Sequence, residues 1–393
     1  MSGAPETGRR DPRPWARELD RDGLERALWP HFPRPPRHLA SDLAAALYRE
    51  GALEREEVIE RARLGRRRLG GVEAAVRLGP LLSLVRRARS EADGAERYVL
   101  AIRRLGGDAL VEAVAIPRRA GLVLCISSQS GCALGCRFCA TGLLGHRADL
   151  TAGEIVEEYA WALRAAGRRP TDAVFMGMGE PLLNYEAVIA AAYRLTSSLG
   201  AQISPRRISI STVGIPERVR EHARAGHPFP LIFSLTSAIP EKRARLVPAA
   251  KRYPLDDLRD AILEYRARRR RNRRVTIACV AIPGHTMGEE DVDALGAFVE
   301  GLPATIDVIP LNPTVAPFSP PSWAEVKRFT TSLRRLRVPV KIRYSAGKSA
   351  AAGCGQLAAD LLPAVSAGGH VDAPPGIFSD LWRPARYSYW PRA

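Results

Sequence analysis

The sequence predicts an α/β protein: a partial (βα)6 barrel preceded by a small N-terminal helical accessory domain and a β-hairpin. Three observations lead there. From about residue 120, six short apolar runs lie at 121–126, 172–176, 207–212, 230–235, 274–282 and 305–310. Helical stretches near 152–167, 185–199, 215–225, 255–268 and 288–301 separate them, the signature of parallel βαβ units. Six units fall short of the eight of a complete TIM barrel, so the barrel is open, with functional residues at the C-terminal ends of its strands. The chain of 393 residues is 46% hydrophobic, enough to bury a large core.

In chain order, residues 1–40 are rich in Arg and Pro, with Pro33, Pro35 and Pro36 close together, and read as a flexible arm. Residues 41–95 form the small helical accessory domain. Ser41 is its first N-cap, ahead of Leu43, Ala46 and Leu47 at helical spacing. The basic run Arg66–Arg68 ends a helical pattern before Gly70 and Gly71. Residues 96–117 form a hairpin connector, with strands at 96–104 and 109–116 around Gly106, Gly107 and Asp108. The barrel occupies 118–365, and VPVKIRY at 338–344 offers a further strand. An irregular aromatic tail, 366–393, follows.

The formal net charge is +17, carried mainly by arginine. Such a surface attracts polyanions, RNA or DNA first among them. No apolar run reaches transmembrane length, and the N-terminus lacks an apolar signal core, so a cytoplasmic protein with no membrane partner is expected. Six cysteines in a chain this long exclude a disulfide scaffold.

Three of the six cysteines fall within eight positions, in LCISSQSGCALGCRFCATG at 124–142. Cys132, Cys136 and Cys139 form C-x3-C-x2-C directly after the first β-run. Three thiolates at this spacing can each hold one iron of a [4Fe–4S] cluster and leave the fourth iron open. Zinc usually takes paired C-x2-C knuckles, and no second knuckle is present. Cys125 precedes the triplet. Cys279, in the apolar run VTIACVAIP, reads as a core residue. Cys354 sits between Gly353 and Gly355, a setting in which a thiol can be reached. Gly177 and Gly179 permit a tight turn before Glu180, and Ser211, Ser234 and Asn312 lie near strand ends.

This loop after the first strand of a partial barrel resembles the radical S-adenosylmethionine (SAM) superfamily. Further segments in order resemble the RlmN/Cfr family of RNA adenine methyltransferases: DLTAGEIVEE, MGMGEPLLN at 176–184, ISISTVGIPE at 208–217, SLTSAIPEKRARLVPAAKRYPLDDL at 234–258, IPLNP at 309–313 and CGQLA at 354–358. The match covers roughly residues 95–362.

The resemblance implies a radical-SAM barrel and an enzyme that methylates an aromatic carbon of adenine in RNA. C2 is the preferred carbon, 23S rRNA the preferred substrate, with tRNA a possible second. It implies a [4Fe–4S] cluster on Cys132, Cys136 and Cys139 and two SAM molecules per turnover. SAM contacts fall on Gly179, Glu180, Ser211, Ser234, Leu235, Thr236 and Asn312. In the family, the cysteine matching Cys354 carries the methyl group and the one matching Cys125 resolves the adduct through a transient disulfide. Glu112, on the hairpin, matches the proposed general base. An electron donor such as flavodoxin or ferredoxin, and a monomeric enzyme, complete the expectation.

Several stretches depart from the family pattern. GKSAAAG at 347–353 replaces an acidic stretch before the carrier cysteine, and Thr236-Ser237-Ala238-Ile239-Pro240 replaces a His-Ala-Pro-Asn-type stretch. Two other readings therefore stand beside the first: the same chemistry on C8, another RNA or a small molecule, and a non-catalytic iron–sulfur RNA-binding or redox protein.

Overall fold

The computed structural model describes residues 11–34, 36, 38–107, 109–269, 274–314 and 317–357. The arm's Arg9 and Arg10, Pro35, the run 270–273 and the tail 366–393 lie outside these residues.

Twelve strands are present among the described residues. An antiparallel set leads: β1 (Leu82–Arg89), β2 (Glu96–Ile102) and β3 (Leu110–Arg118). Next comes β4 (Gly121–Ile126), antiparallel to β3. A short ladder, β5 (Gln129–Gly131) and β6 (His146–Asp149), brackets the cysteine triplet. Then follow β7 (Asp172–Phe175), β8 (Ile208–Thr212), β9 (Leu231–Ser234), β10 (Val275–Ala281), β11 (Ala304–Pro310) and β12 (Val340–Ile342).

One ten-stranded sheet runs in the order β1-β2-β3-β4-β7-β8-β9-β10-β11-β12, parallel from β4 onward. The six expected barrel strands are all there, and VPVKIRY supplies a seventh. The alternation was legible because each strand is buried and carries an almost continuous apolar run. Helices Ala152–Ala166, Tyr185–Thr196, Pro216–Ala225, Leu255–Ala267 and Glu289–Val299 occupy the expected connections. Their apolar stripes join the strands' outer faces in one main core. Thr151 and Glu154 form a capping box that starts the first of them. Among the described residues, no helix is long and apolar enough to cross a membrane.

The N-terminal region corrects four expectations. Residues 11–34 are not a loose arm: Arg21–Leu28 is helical, and Arg17 is buried in an ion pair with Glu157 at 2.9 Å. The helix Leu39–Tyr48 begins before Ser41, which lies inside it. Arg66 starts a helix rather than ending one, and Arg66–Ala75 runs through both glycines. Gly71 is required there by close approach: a Cβ would stand 2.5 Å from the Phe32 ring. Finally, residues 82–89 are a strand, not a helix. Hairpin pairing with β2 overrides a basic, outward-facing sequence whose period is hard to read.

Candidate active site

The chemistry-bearing residues gather at the C-terminal ends of the barrel strands, as in barrel enzymes generally. A cavity there is lined by Cys132, Cys136 and Cys139 from the β5–β6 connection. Gly179 and Glu180 join it from the turn after β7, Ser211 and Ser234 from β8 and β9, Thr236 from beyond β9, and Cys354 from the C-terminal loop.

The turn after β7 is shaped by close approach. Gly179 has φ +97°, and a Cβ on it would come within 2.6 Å of the Gln129 side chain. Gln129 Oε1 accepts the Glu180 N–H at 2.8 Å. The Glu180 carboxyl is buried rather than solvated. Its Oε1 accepts from Leu182 N–H and its Oε2 from Val213 N–H, both at 3.0 Å. Burial raises its pKa above the ordinary carboxylate range.

Thr236 is buried in the left-handed region at φ +67°, and its Oγ1 has no partner among the described residues. A strained residue with an orphaned hydroxyl facing a cavity points to a missing ligand. Leu235 does not line the cavity. Its side chain is fully buried in the main core, leaving the backbone as its contribution to that edge.

Asn312 also stands behind the cavity wall. Its Nδ2 donates to Cys354 C=O at 2.9 Å and to Ser345 Oγ at 2.8 Å, while its Oδ1 is buried without a partner among the described residues. Asn312 therefore anchors the loop that carries Cys354. Gln356 adds a second anchor: it accepts from Gly353 N–H at 3.0 Å and donates to Pro313 C=O at 2.9 Å. Ala140 N–H donates to Gly355 C=O at 2.9 Å, and Thr141 Oγ1 to Leu357 C=O at 3.0 Å. The Cys354 loop is thereby fastened to the cysteine-triplet loop. From the other side, Asp93 accepts the Gly347 N–H at 2.8 Å and Ser90 bonds Ser349 at 2.8 Å. Sequence reasoning missed Gln129, Asp93 and Ser345, because nothing local marks a residue that serves a loop far along the chain.

Cys354 is half-buried against Ile232, Ala278 and Ile309. Cys125 is buried on β4 behind the cavity. Burial first, and the neighbouring Cys354 sulfur second, push the Cys125 thiol up. Cys354 shares its cavity with the triplet, and Cys125 packs in one apolar cluster with Ala350, Ala352 and Leu357, which flank Cys354. Glu112 does not line the cavity. It is fully buried on β3 in an ion pair with Arg97 at 3.4 Å. Cys279 is a core residue, as its apolar surroundings indicate. Arg274 directly precedes β10, at the strand's N-terminal end and away from the cavity.

The donor set fits an iron–sulfur cluster. Three thiols face one cavity, and burial pushes all three up, so as free thiols they stay protonated. Iron binding replaces those protons. Among the described residues, no three His, Cys, Asp or Glu side chains converge on a single ion. Thiolates that each hold a different iron need no such convergence.

Residues 126–295 match the Radical SAM superfamily. This fold and this thiol loop define a radical SAM protein. Among similar proteins, a probable RNA methyltransferase of Myxococcus xanthus is 41% identical over 344 residues, spanning 87% of this chain and 94% of that one. A probable dual-specificity RNA methyltransferase RlmN of Gloeobacter violaceus is 33% identical, over 86% of this chain and 94% of that one. The crystal structure of a radical SAM methyltransferase from Sphaerobacter thermophilus superposes with a TM-score of 0.79 at 33% identity, covering 87% of this chain and 98% of that one. The chain belongs to the RlmN/Cfr-like family of radical SAM RNA methyltransferases. It is a SAM-dependent enzyme whose family uses a [4Fe–4S] cluster.

Proposed function

We propose that this enzyme methylates C2 of an adenine in RNA, 23S rRNA first and tRNA second, with Cys354 as methyl carrier and Cys125 as resolving thiol. The observation that carries this reading is the position of Cys354, which lines the triplet's cavity on a loop whose Ala350, Ala352 and Leu357 pack with Cys125.

Cys132, Cys136 and Cys139 hold the cluster. Glu180, Ser211, Ser234 and Thr236 face SAM, Gly179 gives it room, Leu235 offers backbone only, and Asn312 works through the Cys354 loop. When bound, cluster and SAM supply a carbon radical able to remove hydrogen from a methyl group. The chain's own residues do the rest. Cys354, as thiolate, takes a methyl group by displacement from SAM, and a second SAM is used in the radical step. The carbon on Cys354 is then joined to the adenine ring, and the adduct must also give up one electron, for which the cluster would be the acceptor. An aromatic C–H carbon is too poor a nucleophile to take a methyl directly, which is the reason for a carrier. The ring proton must leave to a base; the family position for that base is Glu112, which in this structure is fully buried against Arg97 outside the cavity. Cys125 attacks the Cys354 sulfur, an S–S bond replaces the S–C bond, and the freed carbon takes a proton to become the methyl group. The +17 charge favours RNA, and a flavodoxin- or ferredoxin-type donor supplies electrons to a monomeric enzyme.

The test is mass spectrometry of RNA treated with reconstituted enzyme, reductant and labelled SAM. Labelled 2-methyladenosine is expected; a product labelled at C8, or unmodified RNA from an active cluster, overturns the assignment. With Cys125→Ala, turnover stops and a covalent protein–RNA adduct through Cys354 accumulates. RNA-free protein under the same conditions would rule out the tethered step.

A further inference from the structure

We propose that Arg243 is the buried counter-charge of the iron–sulfur cluster and raises its reduction potential. The inference rests on Cys132, Cys136 and Cys139 holding that cluster.

Arg243 lies on the helix Pro240–Leu246 and is only 2% exposed. Its hydrogen bonds go to neutral acceptors: Nη1 to Tyr253 C=O at 3.0 Å and Nη2 to Val213 C=O at 2.9 Å. Its Nε is buried with no partner, and no carboxylate pairs with it among the described residues. A buried guanidinium without a counter-ion is costly and calls for an anion nearby. The Val213 carbonyl that it holds belongs to a residue packed with Cys132 and Cys136 in one apolar cluster. Burial, only partly offset by the Cys136 sulfur, lowers the guanidinium pKa to about 10.

The helix is fixed against the cysteine loop. Arg137 N–H donates to Leu246 C=O at 2.9 Å, and Ala249 N–H to Leu134 C=O at 3.3 Å. Leu246 and Val247 pack with Cys132 and Cys136 in one apolar cluster. Glu180 bonds the N–H of Val213, the residue whose carbonyl Arg243 holds. Burial raises the Glu180 pKa, and among the described residues this carboxyl makes no ion pair with Arg243.

A cluster held by three thiolates is anionic, and one-electron reduction adds a further negative charge. A fixed cation in a low-dielectric site stabilises the reduced state more than the oxidised one. Arg243 thus completes its own electrostatics only when the cluster is present.

The test is a redox titration, followed by electron paramagnetic resonance, of the full-length protein with reconstituted cluster. Iron content and cluster absorbance are measured first. If the wild type takes up no cluster, the cluster reading itself fails. With clusters present, Arg243→Gln is expected to disfavour reduction about tenfold, equivalent to about 59 mV for one electron. Arg243→Lys, which keeps the charge, is expected to stay within about twofold of wild type. Equal potentials in wild type and Arg243→Gln overturn the inference. Should Arg243→Gln not fold, Arg243→Lys decides: a wild-type potential supports a charge role, and a tenfold displacement refutes it.

Discussion

The loop that carries Cys132, Cys136 and Cys139 and the loop that carries Cys354 face one cavity but are held by different forces. The first is enclosed. It sits between β5 and β6, packs against Val213, Val247, Ile282 and Leu311, and is tied by backbone hydrogen bonds to the turn after helix Pro240–Leu246. The second is hung mainly on polar bonds from Asn312, Gln356, Asp93 and Ser90, and its thiol is half-exposed. Apolar enclosure defines one position, as a cofactor ligand needs. Single hydrogen bonds, worth about 1 kcal/mol net each, can be exchanged. The second arrangement suits the role proposed for Cys354, whose sulfur would meet a methyl donor, a substrate and Cys125 in turn.

That contrast can be broken experimentally, and the largest effect belongs to the enclosed loop. Cys136→Ala is expected to abolish both cluster absorbance and turnover, while alkylation of Cys354 in the metal-free protein stays near the wild-type rate. If the alkylation rate changes as strongly, the two loops are not separate devices. Gly179→Ala comes next. Forcing a side chain into φ +97° against Gln129 costs on the order of 1–3 kcal/mol, read as a lower melting temperature together with weakened SAM binding.

Asn312→Ala acts on the carrier side alone. Losing the bonds to Cys354 and Ser345 costs about 1–3 kcal/mol and is expected to speed Cys354 alkylation roughly tenfold with cluster absorbance unchanged. A loss of cluster in this variant would merge the two regions. Asp93→Ala is the mildest change. One hydrogen bond to Gly347 is lost, about 0.5–1.5 kcal/mol, and Cys354 alkylation rises a few-fold.

How far the sequence could be read follows from where each signal lies. Strands β4 and β7 to β11 were legible because burial on both faces writes an apolar run into the chain. Strand β1 was not, because Arg86, Arg87 and Arg89 face outward and its order comes from β2. The helix through Gly70 and Gly71 was hidden for a similar reason: the Phe32 ring, far along the chain, makes a small residue fit there. In the site, the three cluster thiols share one loop and were readable from spacing. Arg243 was not, because an arginine's burial, and the lack of a carboxylate beside it, have no local trace.

The sequence by itself determined the order of the barrel strands and helices and the C-x3-C-x2-C loop. Those features are local patterns or residue identities, and periodicity and spacing record them directly. Only the tertiary structure decided that Asn312 holds the Cys354 loop, that Leu235 turns into the core, that Glu112 lies buried against Arg97, and that Arg243 is buried with only carbonyl partners among the described residues. Each of these depends on what a side chain meets after the chain has closed on itself, and burial turns the same residue from a solvated charge into a partner.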